Sequence, residues 1–308
     1  MKYNPLSRDA ASPFSLHAAR SGKGDDALAA GRPLLGIPRL GRASFIGHGI
    51  AVLTAVVAIA ATTPAQAGRS CESRKPVPPQ VIERGMKLAE QTSAALDAEH
   101  ARSGAQVVAL ARAGQDLSKY GLRYSHMGWA YKTAEGPWRV AHKLNECGTA
   151  VGHVYRQGLG EFFLDDLWRF EAVLAVPSPA VQAQLLPVLS DNGRATMLHA
   201  QPYSMVSYAW GTKYQQSNQW ALETLAFAME PTTVRTREQA QAWLRFKGYE
   251  PTALKLGPLT RLGGRVGSAN IAFDDHPNDK RYSDRIETVT VDSVLSWMQR
   301  TQLAAAPV

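Results

Sequence analysis

Residues Tyr124–Lys132 read Tyr-Ser-His-Met-Gly-Trp-Ala-Tyr-Lys. The alternation in this stretch decides the fold. In an extended segment successive side chains point to opposite faces, so Met127 and Trp129 face away from His126, and Gly128 leaves space beside its ring. The strand runs from Arg123 to Lys132. Gly136-Pro137 marks a hairpin turn, and Trp138–Leu144 alternates as the next strand. The hairpin predicts that His142 lies on the same face as His126.

Upstream, Val107–Ala111 is a short apolar strand. Pro76–Pro79 leads into an amphipathic helix that carries Val81, Ile82, Met86, Leu88 and Leu96 and ends near Glu99. Downstream, Asn145–Gly160 is glycine-rich, with Val154-Tyr155 as a short strand. Phe162–Phe170 and Pro179–Leu189 read as helices, separated by the strand-like Ala172–Val176. Ser217–Met229 is a strong helix and Arg237–Lys247 another. Gly257–Gly267 reads as a loop. Ile286–Val291 is a strand, followed by a helix from Asp292 through Gln302. This mixture predicts an α+β fold, a small antiparallel sheet packed with helices in one domain over residues 68–308.

The chain has 308 residues and is 45% hydrophobic, enough for a sizeable core. Its formal charge is +8, and residues 1–67 hold seven basic against three acidic residues. Basic residues elsewhere are scattered, which argues against a nucleic-acid face. The amino end has the layout of a secretory leader: a long basic stretch over residues 1–44, an apolar run at Gly49–Ala61, and Ala65 and Ala67 in a small-x-small cleavage pattern. The apolar run is shorter than the roughly 20 residues a spanning helix needs. The expectation is a periplasmic or secreted protein, not integral to the membrane once the leader is cleaved. Cys71 and Cys147 are the two cysteines of the chain. In an oxidising compartment an even pair forms a bridge, here Cys71–Cys147, worth about 3–4 kcal/mol in the chain-entropy model.

Three residues form the candidate site. His126 has the residue type of a general base at neutral pH. His142 would orient it, as the third member of a triad does. Ser217 opens a helix, whose free N–H groups stabilise a developing oxyanion. Serine is also a preferred helix cap, and each histidine is also readable as a structural side chain. Asn218 and Gln219 are neighbouring candidates. Asp274-Asp275-His276-Pro277 reads as a turn with a capping role, because three adjacent residues rarely converge on one metal ion. Gly263–Gly267 lacks the strand–helix context of a phosphate loop. No cofactor or metal is expected.

The segments Cys71, Ala111–Leu117, Arg123–Gly128, His142–Gly148, Tyr214–Trp220 and Phe273–Pro277 resemble an exported bacterial family of unknown function, domain-of-unknown-function family 2145. More distantly, the order strand-histidine, strand-histidine, helix start resembles circularly permuted NlpC-type papain-like proteins. Those include cell-wall peptidases and amidases and lecithin retinol acyltransferase-like enzymes. The resemblance implies that His126 is the base, His142 its orienting partner and Ser217 the residue in place of the cysteine. In an alternative register Asn218-Gln219 stands on Asn-Cys and no nucleophile is left. Two functions follow as expectations. One is a hydrolase or acyltransferase acting on envelope peptides or lipids. The other is a catalytically inactive protein of the same fold that binds a peptidoglycan peptide or a lipid.

Overall fold

The computed structural model describes residues 76–308, apart from Glu135 and Asp166, together with the backbone of Pro5–Leu6. The apolar run, the cleavage pattern and Cys71 lie outside the described residues. Strand β1, Pro5–Leu6, pairs antiparallel with Val154 and Tyr155. The remaining strands of the main sheet are β2 (Val107–Arg112), β3 (His126–Lys132), β4 (Trp138–Asn145), β5 (Gly152–Gly158) and β6 (Ala172–Ala175). Their order is β1-β5-β4-β3-β2-β6, with every pairing antiparallel. A second sheet pairs β7 (Thr252–Lys255) with β8 (Arg285–Thr288). The architecture is α+β with a small sheet, as the alternation predicts.

Period-2 alternation gives the main sheet two apolar faces, each covered by its own helices. On one face Met127, Trp129, Tyr131 and Ala141 join a core with α3 (Pro179–Ser190) and α5 (Ser217–Met229). The Trp129 indole Nε1 donates to the Ala221 carbonyl at 3.0 Å, which fixes α5 on this face. On the other face Val108, Leu110, Ala130 and Val140 pack with α1 (Pro79–Ser103) and α2 (Leu159–Phe163). The first helix runs past Glu99 to Ser103 and stops at Gly104, whose φ of 74° is the left-handed conformation that suits glycine.

Four sequence expectations change. Phe162–Phe170 is helical only to Phe163, because α2 starts earlier, at Leu159. The glycine-rich 145–160 stretch contains the seven-residue β5, not a minor strand. The strand expected at Ile286–Val291 ends at Thr288, and Thr290 caps the next helix, accepting from the Ser293 N–H. Gly257–Gly267 is the helix α7, Pro258–Gly267, with proline at its start.

Gly128 is required where β3 and β4 come together. A Cβ there would lie 2.8 Å from the Ala141 carbonyl oxygen, the His142 Cβ and the Val140 Cγ1. Two of these three belong to backbone or to a β-carbon and cannot swing aside. Gly128→Ala is therefore expected to cost about 1–3 kcal/mol by overpacking. The urea midpoint relative to the parent chain measures it.

Candidate functional site

Strand β3 places His126 and strand β4 places His142 on the face that packs under α2. The His126 Nε2 and His142 Nδ1 are hydrogen-bonded at 2.8 Å, and His142 Nε2 is 2.8 Å from the Gln157 Oε1 on β5. The Gln157 oxygen only accepts, so His142 donates from Nε2 and receives at Nδ1 from the His126 Nε2–H. Burial, which disfavours the charged form, keeps both rings neutral. Phe162 packs against the two, with ring centroids 5.8 Å from His126 and 5.1 Å from His142. Burial sets their titration. It holds His126 well below its ordinary value, with the Arg112 guanidinium and His142 adding to the effect. It lowers His142 to about 3, Arg112 again contributing.

Arg112 closes the lower edge of this cluster. It donates to the Phe162 carbonyl and, at 2.8 Å, to Asp165 Oδ2. The imidazoles thus sit in a buried layer of strand, phenylalanine ring and guanidinium, His126 9% exposed and His142 fully covered.

Ser217 is placed elsewhere. Helix α5 packs on the Met127/Trp129 face, the opposite side of the sheet from both rings. The Ser217 Oγ is hydrogen-bonded to the Tyr203 hydroxyl at 3.3 Å. Tyr203 in turn lies beside Lys143, the next residue along β4 and therefore on the α5 face. The structure brings His126 and His142 together, while Ser217 opens a helix whose core covers the other face of their strands and bonds Tyr203 instead.

The neighbouring candidates hold structure. Asn218 lies where β3 and β4 diverge, since their pairing begins only at Trp129. Its Oδ1 accepts the Met127 N–H at 3.0 Å and its Nδ2 donates to the Ser125 carbonyl at 3.3 Å, so it bonds the strand on either side of His126. Gln216 caps α5 by accepting the Asn218 N–H at 3.0 Å. Gln219 accepts the Ser207 hydroxyl at 2.8 Å and donates to the Tyr208 and Ala209 carbonyls. None of these amides is a nucleophile. Cys147 lies on the turn after β4, and Cys71, its expected partner, lies outside the described residues.

A second polar cluster was not singled out from the sequence. Lys143 donates to the Ala200 carbonyl and to Gln215 Oε1, and Gln215 Nε2 donates to Glu223 Oε2 at 2.6 Å. Arg237 from α6 (Arg237–Phe246) donates Nε to Glu223 Oε2 at 2.7 Å, and Gln241 donates to the other carboxylate oxygen at 2.8 Å. Burial pulls the Lys143 ammonium well below its usual pKa, Arg237 adds to this and Glu223 opposes it. The signal in the sequence is Glu223 itself, the one charged residue in the middle of α5, which needs a partner when buried.

The Asp274–Pro277 turn ties down the loop ahead of α5. Asp275 accepts the Tyr208 N–H at 2.7 Å and bonds His276 Nδ1 at 2.9 Å, and Asp274 pairs with Lys213 at 2.6 Å. Among the described residues no group of three or more His, Cys, Asp or Glu is placed to hold a metal ion. None of the described helices is long and apolar enough to cross a membrane. Two grooves lie away from the histidines. One of about 430 Å³ runs between Lys119-Tyr120 and β7, and one of about 330 Å³ lies between α1 and the β3–β4 hairpin.

No curated protein and no solved structure matches the chain. A family model does match, over residues 99–298, and on that match the chain belongs to the family described as an uncharacterized protein conserved in bacteria, DUF2145.

Proposed function

We propose that this chain is an exported, catalytically inactive protein that uses a papain-like scaffold to bind a peptide or lipid of the bacterial envelope. The observation that carries the reading is the separation of its reactive groups. A serine needs a base within about 3 Å to become nucleophilic. The Ser217 hydroxyl is bonded to Tyr203, and His126 and His142 are bonded to each other and to Gln157. The leader at residues 1–67 supports export, and the resemblance to permuted NlpC-type proteins supports the ligand class.

The expected result is that activated esters and fluorophosphonate probes do not label Ser217. A Ser217→Cys variant should react with a thiol-directed probe no faster when His126 is present than in Ser217→Cys/His126→Ala. Turnover of an ester or amide that requires both Ser217 and His126 would defeat this reading. One observation favours the alternative of a working hydrolase or acyltransferase: the His126–His142 bond has the form of a base held by an orienting partner. The same pair of variants separates the two, because only the enzyme makes the cysteine's reactivity depend on His126.

A further inference from the structure

Helix α7, Pro258–Gly267, is packed the wrong way round for a globular protein. An amphipathic surface helix normally turns its apolar stripe to the core. Here Arg261 and Gly264 face the body. Arg261 Nη1 donates at 2.7 Å both to the Leu256 carbonyl and to Asp284 Oδ1, and Gly264 rests on the Ile271 side chain. Leu259, Leu262 and Val266 follow one another at helical spacing on the opposite side. They are 84%, 59% and 81% exposed, and no residue of this helix is buried. A contiguous exposed apolar stripe marks an interaction surface.

The charge around the stripe selects the occupant. The helix carries no acidic residue, and Arg265 stands exposed in its last turn. The groove of about 430 Å³ adjoins the helix at Thr260 and is lined by Lys119 and Lys255, both exposed. Of the nearby carboxylates, Asp284 is engaged by Arg261, and Asp116, beside Lys119, accepts from the Ser118 N–H and hydroxyl. Apolar side chains projecting from a helix flanked by exposed cations fit an interface of acyl chains beneath anionic headgroups. A protein partner would fit the stripe but gives no reason for three cations at its margin.

We propose that α7 docks this protein on an anionic lipid bilayer, with Leu259, Leu262 and Val266 at the acyl boundary and Lys119, Lys255 and Arg265 at the headgroups. The proposal goes beyond the function above and holds whether or not Ser217 is chemically silent.

The test uses the full chain with Leu262→Cys carrying an environment-sensitive dye, the unsubstituted chain being carried through labelling as the blank. Phosphatidylcholine vesicles with and without phosphatidylglycerol are titrated in. The expected result is a blue shift of the dye on the anionic vesicles that weakens as salt is raised. Lys119→Gln and Lys255→Gln should each weaken binding about fivefold. Leu259→Ser with Val266→Ser should weaken it at least about tenfold. All these positions are exposed, and an unchanged circular dichroism spectrum shows that the fold is kept. A dye reporting from α7 itself is not moved by the apolar run at residues 49–61 entering the bilayer alone. No shift, an equal shift on neutral vesicles, or a shift indifferent to the lysines overturns the proposal. A shift that grows with protein concentration without vesicles assigns the stripe to a second copy, and also overturns it.

Discussion

Arg237→Met is expected to lower the unfolding free energy by about 3–5 kcal/mol, the cost of leaving one member of a buried ion pair alone. Glu223 is fully buried in the middle of α5, and Arg237 holds both of its oxygens, at 2.7 and 3.1 Å. Removing the guanidinium leaves the carboxylate with Gln215 and Gln241, which cannot neutralise it, and with Lys143, whose charged form burial disfavours. It also releases the Thr212 and Gly211 carbonyls that Arg237 binds. At about 2–4 °C per kcal/mol for a domain of this size, the melting temperature should fall by about 6–20 °C. Arg237→Met with Glu223→Leu should recover much of the loss, since an apolar pair of similar volume avoids the desolvation cost. A double variant no more stable than Arg237→Met alone would mean that the backbone contacts of Arg237, not the ion pair, hold α6 in place. Calorimetry of the three variants decides between them.

Acid should unfold this domain early. His126, His142 and His199 are each held below the ordinary histidine value, chiefly by burial, with His142 and His199 at about 3. Between the lowered folded value and the unfolded value near 6.5, the unfolded chain binds a proton that the folded chain does not. Stability is therefore whole above about pH 6.5 and falls as pH drops through the window below it. The loss levels off near pH 3 for His142 and His199. Each ring contributes a slope of up to about 1.4 kcal/mol per pH unit. Urea midpoints measured from pH 7.5 downward should show it. The variant His126→Phe/His142→Leu, which fills the same layer with apolar groups, should have a slope shallower by up to two protons. An unchanged slope would mean that the two rings are protonated in the folded state and that the neutral relay to Gln157 is wrong.

The sequence makes the main sheet and its hairpin legible because the period of two is strong there. Met127 and Trp129 alternate with His126 and Gly128, and the predicted meeting of His126 with His142 follows from that parity. The placement of Ser217 was legible by the same rule but depended on a long-range fact. The sequence identifies α5 as an apolar helix, yet not the sheet face it covers. Once α5 lies against Met127 and Trp129, its buried face is turned away from the histidines. The helix at 258–267 was obscured by Gly263-Gly264, which locally disfavours helix by about 1 kcal/mol per glycine relative to alanine. Strand β7 was hidden for a different reason: Thr252–Lys255 is too short to alternate, and it is defined by pairing with a strand some thirty residues later. The Lys143–Gln215–Glu223–Arg237 cluster draws its members from four separate segments, so only Glu223 betrays it locally.

The carboxamide of Asn218 takes the place of a neighbouring strand for Met127, just where β3 and β4 part company. The strand that carries His126 is thereby stapled to α5 at the helix's amino end, as the Trp129 indole staples it farther along. Any displacement of the central helix, whether by a ligand or by a substitution at its far end, would tug on that amide first. Deuterium uptake at the Met127 peptide nitrogen should accordingly register events on the far side of the sheet before any other position in its strand does.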